Sequence, residues 1–288
     1  MDKNKKIWFI EQYAQKAWTV SLALAQEAAR AGQYGRGYAV VAHEARVLAD
    51  KMYAYVAEAR FGNDDDNMFR GIIDLATMFK FASVNAALEI LHMADISMDF
   101  NIPKSMSVFA EELRRLAISL NELTDDNLRK RPLTIPELAS PSEAAGADNF
   151  FLYSICGHTL IENPKKILEI HLYPRKSLTE KMTYSIRGEE IPILDCCRLL
   201  KLPYTKADEQ AIMIIDLNNK EMIGPNHIYA VPIDDMDVNS IFYSKLGRSV
   251  LPKKEHAFAD YSRECWDAAG GDQLIFVDWK KIIEYSGS

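Results

Sequence analysis

Apolar and small residues in the N-terminal part of the chain alternate at spacings of three and four, which is typical of helices in narrow-faced bundles. The pattern breaks after Ala31 and resumes at Val41 with the same seven-residue repeat. We therefore predict two helices that pair antiparallel. The seam of the first comprises Ile7, Ile10, Ala14, Ala17, Ser21, Leu24, Ala28 and Ala31, and that of the second comprises Val41, Ala45, Leu48, Met52, Tyr55 and Ala59.

Three closely spaced glycines separate these two predicted helices. Gly32, Gly35 and Gly37 can adopt the backbone angles that a short reversal requires. The positions before them are rich in alanine, whose small side chain lets two helices approach closely. The sequence therefore predicts a tight helical hairpin whose arms are in close contact near the turn.

Two further helices and a break follow the hairpin. A broad apolar stripe predicts a third helix over about residues 68–98, and strict three-four spacing from Met106 to Leu120 predicts a fourth. Four helices joined by short loops favour an antiparallel bundle. Periodicity is lost over residues 124–147, where prolines appear, so we place the first domain at residues 1–123 and a linker at 124–147.

Residues 148–288 carry a different pattern. Short strand-like runs alternate with segments rich in glycine, proline, asparagine and aspartate, which favours an antiparallel sandwich or small barrels. The chain is therefore predicted to be an α+β multidomain protein, with a four-helix bundle first and a β domain second. The predicted strands are 150–155, 167–172, 182–186, 191–194, 211–217, 228–231 and 274–277.

The charge and composition of the chain exclude several classes of partner. Its formal net charge is -7, and its one basic run, residues 129–131, falls in the predicted linker, so we expect no nucleic-acid partner. No apolar run reaches the roughly 18–20 residues of a membrane helix, so we expect a cytoplasmic protein without direct membrane insertion. The four cysteines show no zinc-ligand spacing, and we expect reduced thiols.

Several residue groups suggest catalytic or metal sites when they are taken singly. The acidic run 64–67 lacks the ligand spacing of a calcium loop, and an acid-rich helix start is favoured. Glu89 and His92 form one Glu-x-x-His pair, whereas a di-iron site needs two, so we expect a surface pair. Cys156 and His158 flank a glycine that indicates a hairpin turn. We therefore predict no catalytic residue, cofactor or metal site.

The glycine-spaced turn lies in the run EAARAGQYGRGYAVVAHE, which begins at Glu27. With this run, residues 14–60 resemble the signalling tip of bacterial chemoreceptors (methyl-accepting chemotaxis proteins). In that family the tip is a docking surface for other proteins and has no catalytic site. The resemblance implies that Glu27, Arg30, Arg36 and Val40 lie at or near the surfaces that face the kinase, the coupling protein and neighbouring receptors.

Four positions depart from the pattern of that family. Tyr38 stands where the family usually has phenylalanine, and Gln15 replaces a phenylalanine that forms receptor trimers. Ala23 replaces an asparagine, and Gln33 replaces a glutamate at the turn. The departures at Gln15, Ala23 and Gln33 argue against assembly as a trimer of dimers.

Residues 186–195 read IRGEEIPILD, in which an Arg-Gly turn joins two strand-like runs and an aspartate ends the second. Together with the other predicted strands of residues 148–288, this run resembles the CheW family of chemotaxis coupling proteins. The resemblance implies a pair of five-stranded, SH3-like barrels. It also implies a receptor contact near Ile167, although the sequence alone favours a core position for this residue. It further implies an ion pair between Glu169 and Arg187, for which a partner contact is the competing role.

The two resemblances together imply a cytoplasmic, non-enzymatic chemotaxis scaffold. Its partners would be a CheA-type histidine kinase, a CheW-type coupling protein and chemoreceptors. The third and fourth helices would replace the hairpin that a receptor takes from its dimer partner. The competing interpretation is a soluble sensor, whose bundle binds a small ligand near Phe79 and Phe81 and signals through the CheW-like domain. A third interpretation is a decoy that occupies array positions without signalling.

Overall fold

The computed structural model divides into two compact units, Met1–Lys130 and Arg131–Ser288. The first is helical and the second is built mainly from strands, which confirms the prediction of a mixed helix and sheet protein with an N-terminal helical region. The predicted linker 124–147 lies outside the described residues. The structure describes residues 3–61, 65–96, 104–123, 148–172, 182–204, 211–217, 227–234, 236, 241–244, 250–267 and 273–286.

The first unit contains the helices α1 (Lys3–Arg30), α2 (Arg36–Phe61), α3 (Asp65–Ile96) and α4 (Lys104–Leu123). A short 3₁₀ turn, Gly32–Gly35, joins α1 to α2. α1 packs against α2 and α4, and α3 packs against the same two helices. The four helices therefore form a bundle in which neighbours along the chain are also neighbours in space.

The core of the bundle is built from the apolar seams in the sequence. Every predicted seam position of the first helix is buried, from Ile7 to Ala31. In α2 the first four predicted positions are buried, but Tyr55 and Ala59 are partly exposed. Val56 is buried in their place, at 4% exposure, so the core side of α2 shifts by one position near its end.

Two ion pairs show how α1 is oriented against its neighbours. Arg60 Nη2 near the end of α2 lies 2.7 Å from Glu11 Oε2 near the start of α1. Lys16 Nζ lies 2.5 Å from Glu112 Oε2 on α4. Because exposed pairs of this kind contribute about 0–1 kcal/mol each, apolar packing and not charge holds the bundle together.

One helical segment is long and apolar enough to cross a membrane, by length and composition alone. Within the segment Arg70–His92 of α3, an 18-residue window has a mean hydropathy of 1.3, and 67% of that window is buried within the protein. Charged residues interrupt it, and its buried side includes Ile72, Phe79 and Leu88. These properties are those of a core helix in a bundle, so packing inside the first unit accounts for its apolar character.

The described part of the second unit contains ten strands and two helices. The helices are α5 (Cys196–Leu199) and α6 (Trp279–Ser286). The strands are β1 (Asp148–Ile155), β2 (His158–Glu162), β3 (Ile167–Leu172), β4 (Thr183–Ile186), β5 (Glu189–Pro192), β6 (Ala211–Asp216), β7 (Ile228–Ile233), β8 (Ile241–Ser244), β9 (Ser262–Asp267) and β10 (Gln273–Val277).

These strands form three sheets, which are open over the described residues. The orders are β8-β1-β2-β10-β9, β3-β6-β7 and β4-β5. All neighbouring strands are antiparallel except β2 and β10, which run parallel. The paired barrels are therefore not confirmed and stay a prediction. The strand runs in the sequence identify seven of these strands but miss β2, β8 and β9.

Two apolar clusters hold the sheets of the second unit together. The β4-β5 hairpin packs against the three-stranded sheet, because Ile191 shares a cluster with Ile212 and Ile214, and Tyr184 and Ile186 pack against that cluster. The five-stranded sheet has a cluster of its own, formed by Phe150, Leu152, Ile161, Trp266, Leu274 and Phe276. Each cluster draws on several strands, so each stabilises its sheet as a unit.

The expectation that all four cysteines are reduced thiols is wrong for two of them. Cys156 and Cys197 form a disulfide with a Cα–Cα distance of 6.0 Å, whereas Cys196 and Cys265 are free and buried. The bond joins the turn between β1 and β2 to α5. Spacing along the sequence did not reveal it, because the partners are 41 residues apart and meet only through folding.

Candidate protein-interaction site

The glycines of the helical turn meet different constraints, and those on Gly32 and Gly35 involve the backbone, whereas the neighbour of Gly37 is the end of a flexible side chain. Gly32 has a φ of +59°, a conformation that side-chain-bearing residues rarely adopt. A side chain on Gly35 would collide with the backbone of Ala28, so the 3₁₀ turn lies very close to the end of α1. A side chain on Gly37 would collide with the carboxylate of Glu89 on α3. The turn is therefore tight, and it is covered on one side by α3 and α4, which we call the second helical hairpin.

Three of the four predicted contact residues near the end of the α1-α2 hairpin are exposed, namely Arg30, Arg36 and Val40, whereas the Glu27 side chain is only 16% exposed. Arg30 Nη1 lies 2.6 Å from Glu27 Oε1, and the Arg30 side chain is 72% exposed. Arg36, at the start of α2, is exposed and has no ion-pair partner among the described residues. Val40 follows one turn later and is 44% exposed. The site thus combines one partly neutralised cation, one unneutralised cation and an apolar side chain in contact with water.

This combination is suited to binding a protein and not to catalysis. An exposed valine gains free energy when a partner removes it from water, since burial of apolar surface is worth about 25 cal/mol per Å². Charges at the rim of such a contact add specificity and association rate more than affinity. Arg36 is available to pair with a partner carboxylate, whereas Arg30 would first exchange its contact with Glu27.

Tyr38 connects the start of α2 to α4 through a hydrogen bond. Its side chain is fully buried, and its hydroxyl donates a hydrogen bond of 2.5 Å to the carbonyl oxygen of Met106 in the first turn of α4. Burial, and secondarily the charge of Glu89, raise the pKa of the Tyr38 hydroxyl above its ordinary value, so it stays a neutral donor. The resemblance marked this position as unusual for the family, but the partner of the hydroxyl is visible only in the fold.

Glu89 and His92 are both partly exposed, so their expected surface pair stays a prediction, but the structure adds a packing role for Glu89. Its carboxylate lies over Gly37, at the covered side of the hairpin turn, and the residue is only partly exposed. The reason is that α3 runs back toward the turn, which places its last turns beside the start of α2. Glu89 therefore belongs to the packing of the tip.

Ile167 cannot contact a partner through its side chain in this structure. It begins β3 and is 0% exposed, so its predicted role as a contact residue is corrected to a core residue. The physical reason is that an isoleucine in this strand is buried against the rest of the second unit. More exposed positions on the same strand are Leu168, which is partly buried, and Leu172, at 42%.

Glu169 and Arg187 lie in contact on neighbouring elements of the second unit. Arg187 Nη2 is 3.2 Å from Glu169 Oε2, and His171 Nε2 is 3.1 Å from the same oxygen. Burial alone would raise the pKa of Glu169, but hydrogen bonds and charge from His171 and Arg187 lower it overall. Because the Arg187 side chain is 71% exposed, the contact is a weak one by itself.

Two chemical sites considered from the sequence, a thiol–histidine pair and a metal cluster, are not formed by the described residues. Cys156 is in a disulfide, so its sulfur cannot act as a thiol nucleophile with His158 as the base. His158 instead lies beside His256, with ring centroids 4.8 Å apart. Over the described parts of the chain, no group of three or more His, Cys, Asp or Glu side chains is placed to hold a metal ion.

Residues 4–60 match the sequence model of the methyl-accepting chemotaxis protein (MCP) signalling domain. The match spans α1, the glycine turn and nearly all of α2, and it ends before α3. A search of curated proteins finds no match to the chain. This part of the chain is therefore similar to the signalling element of chemoreceptors, and this similarity suggests a role in chemotaxis signalling. MCP signalling domains are cytoplasmic, non-enzymatic elements that interact with other chemotaxis components.

Proposed function

We propose that this protein is a non-enzymatic chemotaxis scaffold that acts in the cytoplasm. Its hairpin tip docks a CheA-type histidine kinase or a CheW-type coupling protein, and its second unit presents a further docking surface to the kinase or to chemoreceptors. The observation that supports this best is the match of residues 4–60, together with the exposure of Arg36 and Val40 at the turn. The tip needs no catalytic group for this role.

The second helical hairpin makes the tip self-sufficient within one chain. α3 and α4 pack on α1 and α2, and the contacts of Tyr38 with Met106 and of Gly37 with Glu89 bring the second hairpin to the turn. We propose that α3 and α4 occupy the place of a receptor's dimer partner. Size-exclusion chromatography with light scattering tests this, because a stable dimer whose bundle is shared between two chains would contradict it.

The second unit is proposed to be a CheW-like domain over residues 148–288, after a bundle at 1–123 and a linker at 124–147. The order of its strand runs and the contact between Glu169 and Arg187 support this assignment. Paired SH3-like barrels are part of the same proposal. A crystal structure of the chain in which the sheets of the second unit remain open would contradict the barrels but not the role of the tip.

Binding measurements on the full chain test the docking role. The wild type, Arg36→Ala and Val40→Ala are titrated separately with purified histidine kinase and purified coupling protein. We expect at least one partner to bind, and each variant to raise its Kd about tenfold, which corresponds to about 1.4 kcal/mol. Arg115→Ala serves as the matched control, because Arg115 is an exposed arginine on α4. If neither tip variant weakens binding, the proposed docking role fails.

A further inference from the structure

α2 exposes a second valine one heptad after Val40. Val47 is 38% exposed and Val40 is 44% exposed, whereas the opposite side of α2 is buried in the bundle core. Residues seven apart lie on the same face of a helix, about 10 Å apart along its axis. The two valines therefore form one apolar strip that contributes nothing to the core of the bundle.

Two cations bracket this strip. Arg36 precedes Val40 by four residues, and Lys51 follows Val47 by four, so all four side chains fall within a narrow sector of the helix surface. All four are exposed. Arg36 has no ion-pair partner among the described residues, and Lys51 Nζ contacts the thioether sulfur of Met78 at 3.7 Å. We call Arg36, Val40, Val47 and Lys51 the valine stripe.

The valine stripe carries positive charge in a protein whose formal net charge is -7. Its two cations lie about 22 Å apart along the helix, from fifteen residues at about 1.5 Å each. Acidic residues, Glu44 and Asp50, lie on its flanks and not within it. A partner that covers the stripe must therefore bury two valines in its middle and place carboxylates near both ends.

A second copy of this chain does not meet that requirement if the two stripes pack against each other. If two stripes packed antiparallel, Arg36 of one copy would face Lys51 of the other, and if they packed parallel, each cation would face its own equivalent. Both arrangements place like charges together, which costs free energy at an interface. The chemistry of the stripe selects a different protein.

We infer that the valine stripe is a docking surface for a partner that presents an apolar groove with carboxylates at both ends. This inference rests on the proposed function, because Arg36 and Val40 belong to both. It adds that contact continues along α2 for about three helical turns beyond Val40, through Val47 to Lys51. Val47 and Lys51 are then the residues that determine which partner fits.

Two substitutions test the added part of the surface. Val47→Gln removes an apolar side chain but keeps a good helix former, and Lys51→Glu reverses one bracketing charge. Each variant of the full chain is titrated with purified histidine kinase and with purified coupling protein at low and high salt. Tyr53→Gln is the matched control, because Tyr53 is 39% exposed on α2 but lies outside the stripe.

We expect Val47→Gln to raise the Kd of one partner about tenfold and Lys51→Glu to raise it more at low salt than at high salt. Tyr53→Gln should leave the Kd within about twofold, and circular dichroism should show all variants folded. If Arg36→Ala and Val40→Ala weaken binding while Val47→Gln and Lys51→Glu do not, the stripe is refuted and the proposed function stands. If no variant weakens binding, both fail. Self-association of the wild type that Val47→Gln abolishes would make a second copy the occupant and overturn the inference.

Discussion

Replacing Tyr38 with phenylalanine tests how the second helical hairpin is fixed to the tip. The change removes one oxygen atom and keeps the fully buried ring. The lost hydroxyl is the donor to the carbonyl oxygen of Met106, at 2.5 Å. A hydrogen bond of this kind contributes about 0.5–1.5 kcal/mol net, so we expect the free energy of unfolding to fall by about 1 kcal/mol. The corresponding change in Tm is roughly 3 °C.

Urea titration of the full chain, followed by the helical circular dichroism signal, measures this loss. Tyr13→Phe is the control, because Tyr13 stacks on Phe9 on the partly exposed side of α1. It should change stability by less than about 0.5 kcal/mol. Equal effects of the two substitutions, or a more stable Tyr38→Phe, would refute the coupling that we derive from the hydrogen bond.

Tyr38 should also make the free energy of unfolding depend on pH in the alkaline range. Burial raises the pKa of the Tyr38 hydroxyl in the folded protein above its ordinary value of 10.0. As the pH rises, the unfolded chain therefore loses this proton before the folded protein does. The contribution of the hydroxyl to stability is present below pH 10.0 and is lost as the pH rises above that value. Tyr38→Phe should lose less stability than the wild type between neutral pH and about pH 11, and parallel curves would contradict this reasoning.

Three further predictions concern other contacts. Gly35→Ala should lower the free energy of unfolding of the helical unit by about 1–3 kcal/mol in urea titration, because the new methyl group meets the backbone of Ala28. Reduction of the disulfide, or replacement of Cys156 and Cys197 with serine, should destabilise the second unit by up to about 4 kcal/mol, as loop closure over 41 residues implies; an unchanged urea midpoint would contradict this. Burial and a neighbouring histidine lower the pKa of His256 to about 4, so stability should fall as the pH drops from about 6.5 toward 4. Thermal unfolding of His256→Gln should show a shallower decline in stability over that pH range. An equal decline in wild type and variant would contradict the role of His256.

The helices of the first unit could be predicted from the sequence because the three-four spacing of apolar residues repeats along them. The seam positions from Ile7 to Leu24 all follow the same three-four spacing, and all of them are buried. The contact between Tyr38 and Met106 obeys no such rule, since it joins residues 68 positions apart. Glu89 likewise gives no sequence signal for its place over Gly37. Periodicity thus predicts which face of a helix is buried, but not which residues meet at the end of a bundle.

The second unit was less predictable because its strands are short. β2 has five residues between two turns, too few for alternation to stand out, and the edge strand β8 has four. Ile167 was assigned to an interface through a resemblance, yet its strand buries it. The Cys156–Cys197 bond depends on a turn and the helix α5, which meet only after folding. Each of these features depends on tertiary contacts that local composition does not encode.

Hydrogen exchange on the full chain tests the central claim most directly. Mass spectrometry would compare exchange with and without saturating histidine kinase, and then with coupling protein. The docking role of the tip predicts slower exchange in peptides that cover the turn and the start of α2, from Glu27 to Lys51, for at least one partner. Slower exchange confined to residues 148–286, or no change with either partner, would contradict the claim that the helical tip is a docking surface.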